Sequence, residues 1–207
     1  MKAEIPTRNV QLKVILNQLN ENTAMGAYYL DACTTCTNNT AIGFEGLTNN
    51  SSGGGNTALG SGALRENTTG SANTAVGENA LGNNTTGREN TALGHIALRS
   101  CTECIANVAI GDEAMLDNIE GNANVAVGNK TLLRNITGER NVAIGTDAML
   151  FNQSGNENIG IGTNALRTKN NGNGNVAIGY ESLSSLSTFG DQNTAIGHRS
   201  MESTNSG

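Results

Sequence analysis

The pentad Asn-Thr-Ala-Met-Gly that starts at Asn22 returns ten times in related form, beginning at Asn39, Asn56, Asn73, Asn90, Asn107, Asn124, Asn141, Asn158, Asn175 and Asn193. Every step is 17 residues except the last, which is 18 because the tract SSLSTFG carries one extra residue. A fixed short period constrains the fold more than any single motif, since each copy must bury its apolar surface mainly against its neighbours. With Asn as position 1, the unit reads N-[TV]-A-[ILVM]-G-x-x-A-[LM]-x-x-N-x-T-G-x-x.

Positions 1 to 5 alternate, with Thr or Val and an aliphatic on one face and Asn, Ala and Gly on the other, which predicts a short strand. A second segment ends in Ala-Leu, as at Ala63-Leu64, Ala80-Leu81 and Ala97-Leu98, and predicts a second strand. Polar tracts such as Asn67-Thr68-Thr69-Gly70 then supply turns. Seventeen residues are too few for two packed helices but suit one coil of a parallel β-solenoid. The expected fold is therefore all-β, about eleven coils stacked into a rod roughly 50 Å long.

Stacking equivalent positions makes ladders. The eleven leading asparagines are expected to hydrogen-bond along the axis. The aliphatics at positions 4 and 9 are expected to fill the interior, giving a core row of Met25, Ile42, Leu59, Val76, Leu93, Ile110, Val127, Ile144, Ile161, Ile178 and Ile196 at position 4. The pentad glycines (Gly60, Gly77, Gly94) and turn glycines (Gly70, Gly87, Gly121, Gly138) are expected where φ is positive or the backbone passes close to a neighbour.

Composition narrows the function classes. Aromatics are 3% with no Trp, and 32 asparagines exceed the 12 basic and 18 acidic residues together. A net charge of -6 leaves no basic surface for nucleic acid or anionic membranes, and no apolar run approaches a membrane span. The few aliphatics of each coil fall short of the conformational cost of ordering it, so help from other chains is expected. Small residues such as Ala75, Gly77 and Ala80 offer a flat surface for that packing, and a homo-oligomer of parallel chains follows as an expectation.

The unit NTAVGENALGNNTTGRE, Asn73 to Glu89, resembles the repeat of phage and virus tail-fibre proteins that end in an intramolecular chaperone. It is also similar to the head repeats of trimeric autotransporter adhesins, which have a longer outer loop. The resemblance covers residues 22 to about 201 and implies a left-handed parallel β-roll that trimerises side by side. It implies a structural virion fibre, a tail or capsid projection for host attachment on the virion surface, with a bacterial surface adhesin head as the alternative. A receptor or glycan on the host surface would be the target. The adhesins' signal peptide, coiled-coil stalk and barrel anchor are not visible. The stop at Asn205-Ser206-Gly207, mid-repeat, leads to the expectation that a C-terminal chaperone has been removed.

Residues 1 to 21 precede the solenoid domain, 22 to 207, and are expected to cap it or dock to other virion or surface proteins. Leu12, Ile15, Leu16 and Leu19 follow helical spacing, whereas Val10, Leu12, Val14 and Leu16 alternate as a strand would; helix is the expectation. Cys33 with Cys36 and Cys101 with Cys104 each occupy positions 12 and 15, four coils apart, too far to share one zinc site. A disulfide within or between chains that braces the turn is the leading reading, with free thiols or metal as alternatives.

His95 and His198 are six coils apart and read as surface residues. No catalytic motif, metal site or cofactor is expected, and the chain reads as non-enzymatic. Position 2 is Thr at Thr23, Thr40, Thr57, Thr74 and Thr91, becomes Val108, Val125, Val142, Ile159 and Val176, and returns to Thr194. That row is expected to line the core or a chain interface; an ice- or glycan-binding face is the remaining reading. Recognition, if any, would lie in variable outer residues such as Arg65, Glu66, Arg88, Arg134, Arg140, Arg167 and Lys169.

Overall fold

The computed structural model describes residues 13–17, 21–168, 171–184 and 190–202. These form a β-solenoid in one twelve-stranded sheet whose strand order follows the sequence. β1 is Lys13–Asn17, β2 is Asn22–Ala27 and β3 is Thr40–Phe44; β4 to β12 are three-residue strands, one per coil, from Thr57–Leu59 to Thr194–Ile196. β2 to β12 pair in parallel with equivalent positions opposite one another, for example Thr74 against Thr91 and Val76 against Leu93. Coil 1 begins at Asn22 and coil 11 at Asn193.

β1 runs antiparallel to β2, from Lys13 opposite Gly26 to Asn17 opposite Asn22. Residues 13–17 are thus a strand where a helix was expected. The alternating pattern prevails because the outer edge of β2 presents unpaired amides and carbonyls that an extended segment can satisfy and a helix cannot. Leu12 and Leu19 lie outside the described residues.

Among the described residues each coil has one strand, not the two that the sequence pattern predicts. The Ala-Leu segment is a run of turns, because positions 7 and 9 have positive φ, as at Asn79 (52°) and Leu81 (50°). Positive φ at every second residue curls the chain too tightly for a pleated strand. The segment still stacks: Leu81 N–H donates to the Ala97 carbonyl at 3.0 Å and Asn83 N–H to that of Arg99 at 3.2 Å. A left-handed Leu costs on the order of 1 kcal/mol, while burying its side chain contributes roughly 2 kcal/mol. The row Leu47, Leu64, Leu81, Leu98, Met115, Leu132, Met149, Leu166 and Leu183 is almost completely buried, so the balance favours the turn.

The position 4 core row is corrected. Met25, Ile42, Leu59, Val76, Leu93, Ile110, Val127, Ile144, Ile161, Ile178 and Ile196 point away from the interior, with Met25 40%, Leu59 44% and Ile196 67% exposed. The interior row of this strand is position 3, where Ala41, Ala58, Ala75, Ala92 and Ala109 are fully buried. Strand parity explains it: the position 1 asparagine must face inward to satisfy a buried corner, which sends position 3 inward and positions 2 and 4 outward. With Leu from position 9 filling the space opposite, only Ala fits. Ala75 and Ala80 are therefore core residues rather than a packing surface for another chain.

One coil departs from this rule in a compensating way. Gly160 holds position 3 in coil 9, and a Cβ there would lie 2.7 Å from the Met149 Cγ. We expect Gly160→Ala to cost about 1 kcal/mol by overpacking, and Met149→Leu in the same chain to recover most of it, as read from denaturant midpoints.

Candidate functional site

The axial asparagine ladder is continuous from Asn22 to Asn193. Asn124 is representative: its backbone N–H donates to Asn107 Oδ1 at 2.9 Å, and its Nδ2 donates to the same oxygen at 3.2 Å and to the Gly138 carbonyl at 2.8 Å. Its own Oδ1 accepts from the N–H and Nδ2 of Asn141. One side chain thus closes its own coil, position 1 to position 15, and ties that coil to both neighbours. Asn124 is fully buried, so these are bonds that no water replaces.

A second ladder, at position 12, was not recognised as one in the sequence, although the repeated Asn there is its signal. Asn67 Nδ2 donates to Asn50 Oδ1 at 2.9 Å, Asn84 to Asn67 at 2.7 Å, and Asn152 to Asn135 at 2.9 Å. Each also clamps its own turn, as in Asn67 Nδ2 to the Gly70 carbonyl at 3.0 Å. A Cβ on Gly53, at position 15, would lie 2.5 Å from Asn50 Oδ1. The turn glycines Gly70, Gly87, Gly121 and Gly138 are accordingly required by close approach and not by φ, whereas the pentad glycines Gly60, Gly77 and Gly94 have φ of 140°, 134° and 142°.

The cysteines belong to this turn. Cys33–Cys36 and Cys101–Cys104 are disulfides within single coils, with Cα separations of 5.5 and 5.8 Å. In coils 1 to 8, positions 12 and 15 hold either Asn with Gly or Cys with Cys, never a mixture. The covalent clamp and the amide clamp occupy the same turn, and with Cys at position 12 the same-coil Asn Oδ1 that a position 15 Cβ would meet is absent. Closing so short a ring stabilises by about 2 kcal/mol in a chain-entropy account. We expect Cys101→Ser to lose about that much, and the paired change Cys101→Asn with Cys104→Gly to stay within about 1 kcal/mol of the parent, measured as unfolding midpoints.

The histidines are surface residues. His95 Nδ1 lies 2.9 Å from Asp112 Oδ1 in the next coil, and His198 stacks on Tyr180 with ring centroids 5.3 Å apart. Beside that stack, hydrogen bonding to Tyr180, followed by bonding and charge from Arg199, holds the Glu181 carboxyl below its usual range. Arg199 Nε to Glu181 Oε2 is 2.8 Å. Most of the variable arginines are tied to carboxylates of an adjacent coil: Arg65 to Glu45, Arg134 to Asp117, Arg140 to Glu157 and Arg167 to Asp147. Arg65 also pairs with Glu66 of its own coil at 2.8 Å, and Arg88 with Glu89 at 3.9 Å. Such exposed pairs contribute little each. Lys169 lies outside the described residues.

Thr69, Ser71, Thr86, Arg88, Glu103 and Ile105 line a shallow open groove. Among the described residues no three His, Cys, Asp or Glu side chains gather as metal ligands, and no helix is long and apolar enough to cross a membrane.

The most extensive feature is the outer sheet face. Position 2 points outward beside position 4, so it does not line the core as one reading of its Thr and Val residues held. Together the two rows make a flat grid, two side chains wide, that runs from Thr23 and Met25 to Thr194 and Ile196. Position 4 is aliphatic in every coil, whereas position 2 is Thr in six coils and Val or Ile in five. Fold and face define a parallel β-solenoid with an aliphatic row along its outer sheet face. Family models, curated proteins and solved structures yield no match to the chain.

Proposed function

We propose that the chain is a structural fibre protein, a tail or capsid projection displayed on a virion surface, in which three parallel copies pack through their outer sheet faces into a rigid rod for host attachment. The observation that carries this reading is the aliphatic row at position 4, which is partly or largely exposed in every coil of a single chain. Water-exposed aliphatics at every coil gain free energy only if another surface covers them. A second solenoid of the same pitch covers them in register from end to end. The reading supplies a mechanism as well as a shape. A stiff rod carries weak contacts at its tip or flank away from the particle, and many rods turn them into avidity. Its chemistry is mechanical, with no catalytic step, and the disulfides suit an oxidising exterior.

The test is the solution mass, by sedimentation or light scattering, with and without reductant. Three times 21.3 kDa, about 64 kDa, is the expected result; a stable monomer overturns it. Co-purification with virions, or a gene beside capsid and tail genes, separates the virion fibre from a bacterial adhesin head.

A further inference from the structure

The outer face changes character in the middle of the rod. In coils 1 to 5 position 2 is Thr23, Thr40, Thr57, Thr74 and Thr91, and in coils 6 to 10 it is Val108, Val125, Val142, Ile159 and Val176. A second row switches at the same boundary: position 13 is Thr68, Thr85 and Thr102 in coils 3 to 5, then Ile119 and Ile136 in coils 6 and 7, both exposed, before Gln153 in coil 8. Two rows changing from hydroxyl to aliphatic at one coil are not required by the solenoid, whose interior Asn row at position 1 and Ala row at position 3 continue unchanged across it.

We infer that, within the proposed trimer, coils 6 to 10 form the dry seam that clamps the chains, and coils 1 to 5 form a hydrated seam that opens first. The inference rests on the trimer reading. Its occupant is a second copy of this chain. The face is about 10 Å wide for the three extended residues of each strand and advances about 4.8 Å per coil, which over eleven coils gives on the order of 500 Å² per chain, or about 1,000 Å² for a pair of chains, the size at which a specific interface begins. Parallel chains in register bring Val142 to Val142 and Thr74 to Thr74. A Val grid excludes water without leaving a polar group unpaired. A Thr grid either keeps water as hydrogen-bond partner or loses its hydroxyl bonds, and so closes less firmly.

The two seams are separable with matched, outward-facing substitutions in the full chain, Val142→Asp and Thr74→Asp, each checked for retained solenoid by circular dichroism. Sedimentation is expected to show trimer dissociation shifted to at least ~100-fold higher protein concentration by Val142→Asp and by less than ~10-fold by Thr74→Asp. The reverse change, Thr74→Val with Thr91→Val, is expected to tighten the trimer by ~10-fold. A trimer weakened equally by both aspartates, or more by Thr74→Asp, overturns the division and leaves the trimer standing. A parent chain that sediments as a monomer overturns both.

Discussion

Replacing Asn124 by aspartate is expected to destabilise the rod by on the order of 3 kcal/mol at neutral pH, although the two side chains have the same shape. Asparagine donates from Nδ2 to Asn107 Oδ1 and to the Gly138 carbonyl, and accepts on Oδ1 from Asn141. Aspartate keeps the acceptor and turns both donors into a buried oxygen facing two other oxygens. Its folded-state pKa must therefore rise above the unfolded value of about 3.9. The sign of the linkage follows. Above the folded pKa the full penalty applies, and as pH falls toward the unfolded value the acid protonates, donates one hydrogen bond and recovers part of the loss. Asn124→Ala, at about 2 kcal/mol, has no such recovery. Urea midpoints of parent and variants compared at pH 7 and pH 4 distinguish the two.

Placing valine at Gly94 has a larger expected effect, above about 4 kcal/mol. Gly94 has φ of 142°, where an L-residue is strained, and any Cβ there would collide with the carbonyl of Gly111 in the next coil. That carbonyl is main chain of an equally constrained row, so relief requires the coils to separate. In a solenoid each coil contacts only its neighbours, and a broken junction divides the stack instead of dissolving it. Melting is expected to split into two transitions, with new protease sensitivity between coils 5 and 6. A single transition at the parent temperature would count against the glycine row as the closest approach between coils.

What could be read from the sequence depended on whether position alone carried the information. The leading Asn, the pentad glycine and the 17-residue step identify a stacked coil because their spacing fixes pairing partners. Strand parity was the harder matter. Alternation separates Ala from Ile without saying which faces inward, and hydrophobicity argues for Ile. The deciding term is the hydrogen bonding of a buried corner by Asn, which outweighs roughly 2 kcal/mol of aliphatic burial. The Ala-Leu segment misled for a related reason. Positive φ at residues such as Leu81 and Met115 contradicts local propensity, and only the surrounding stack imposes it. The cysteine pairs were legible as a turn brace because they stand where other coils carry Asn and Gly. Their equivalence to an amide clamp is visible only in the folded turn, where Asn67 Nδ2 closes on the Gly70 carbonyl as Cys101 closes on Cys104.

The antiparallel pairing of β1 with β2 bears on how the chain counts. A column of near-identical coils is almost symmetric under translation by one unit, so a chain folded one coil out of frame, against itself or against a sister chain, retains nearly every favourable contact. Such slipped forms are kinetic traps that energy alone barely disfavours. β1 runs against the direction of every other described strand, and its partner is fixed by the short connection to β2. It marks coil 1 as the origin, as the zero of a ruler does, and a frame set there propagates through the remaining coils without any of them needing a label of its own.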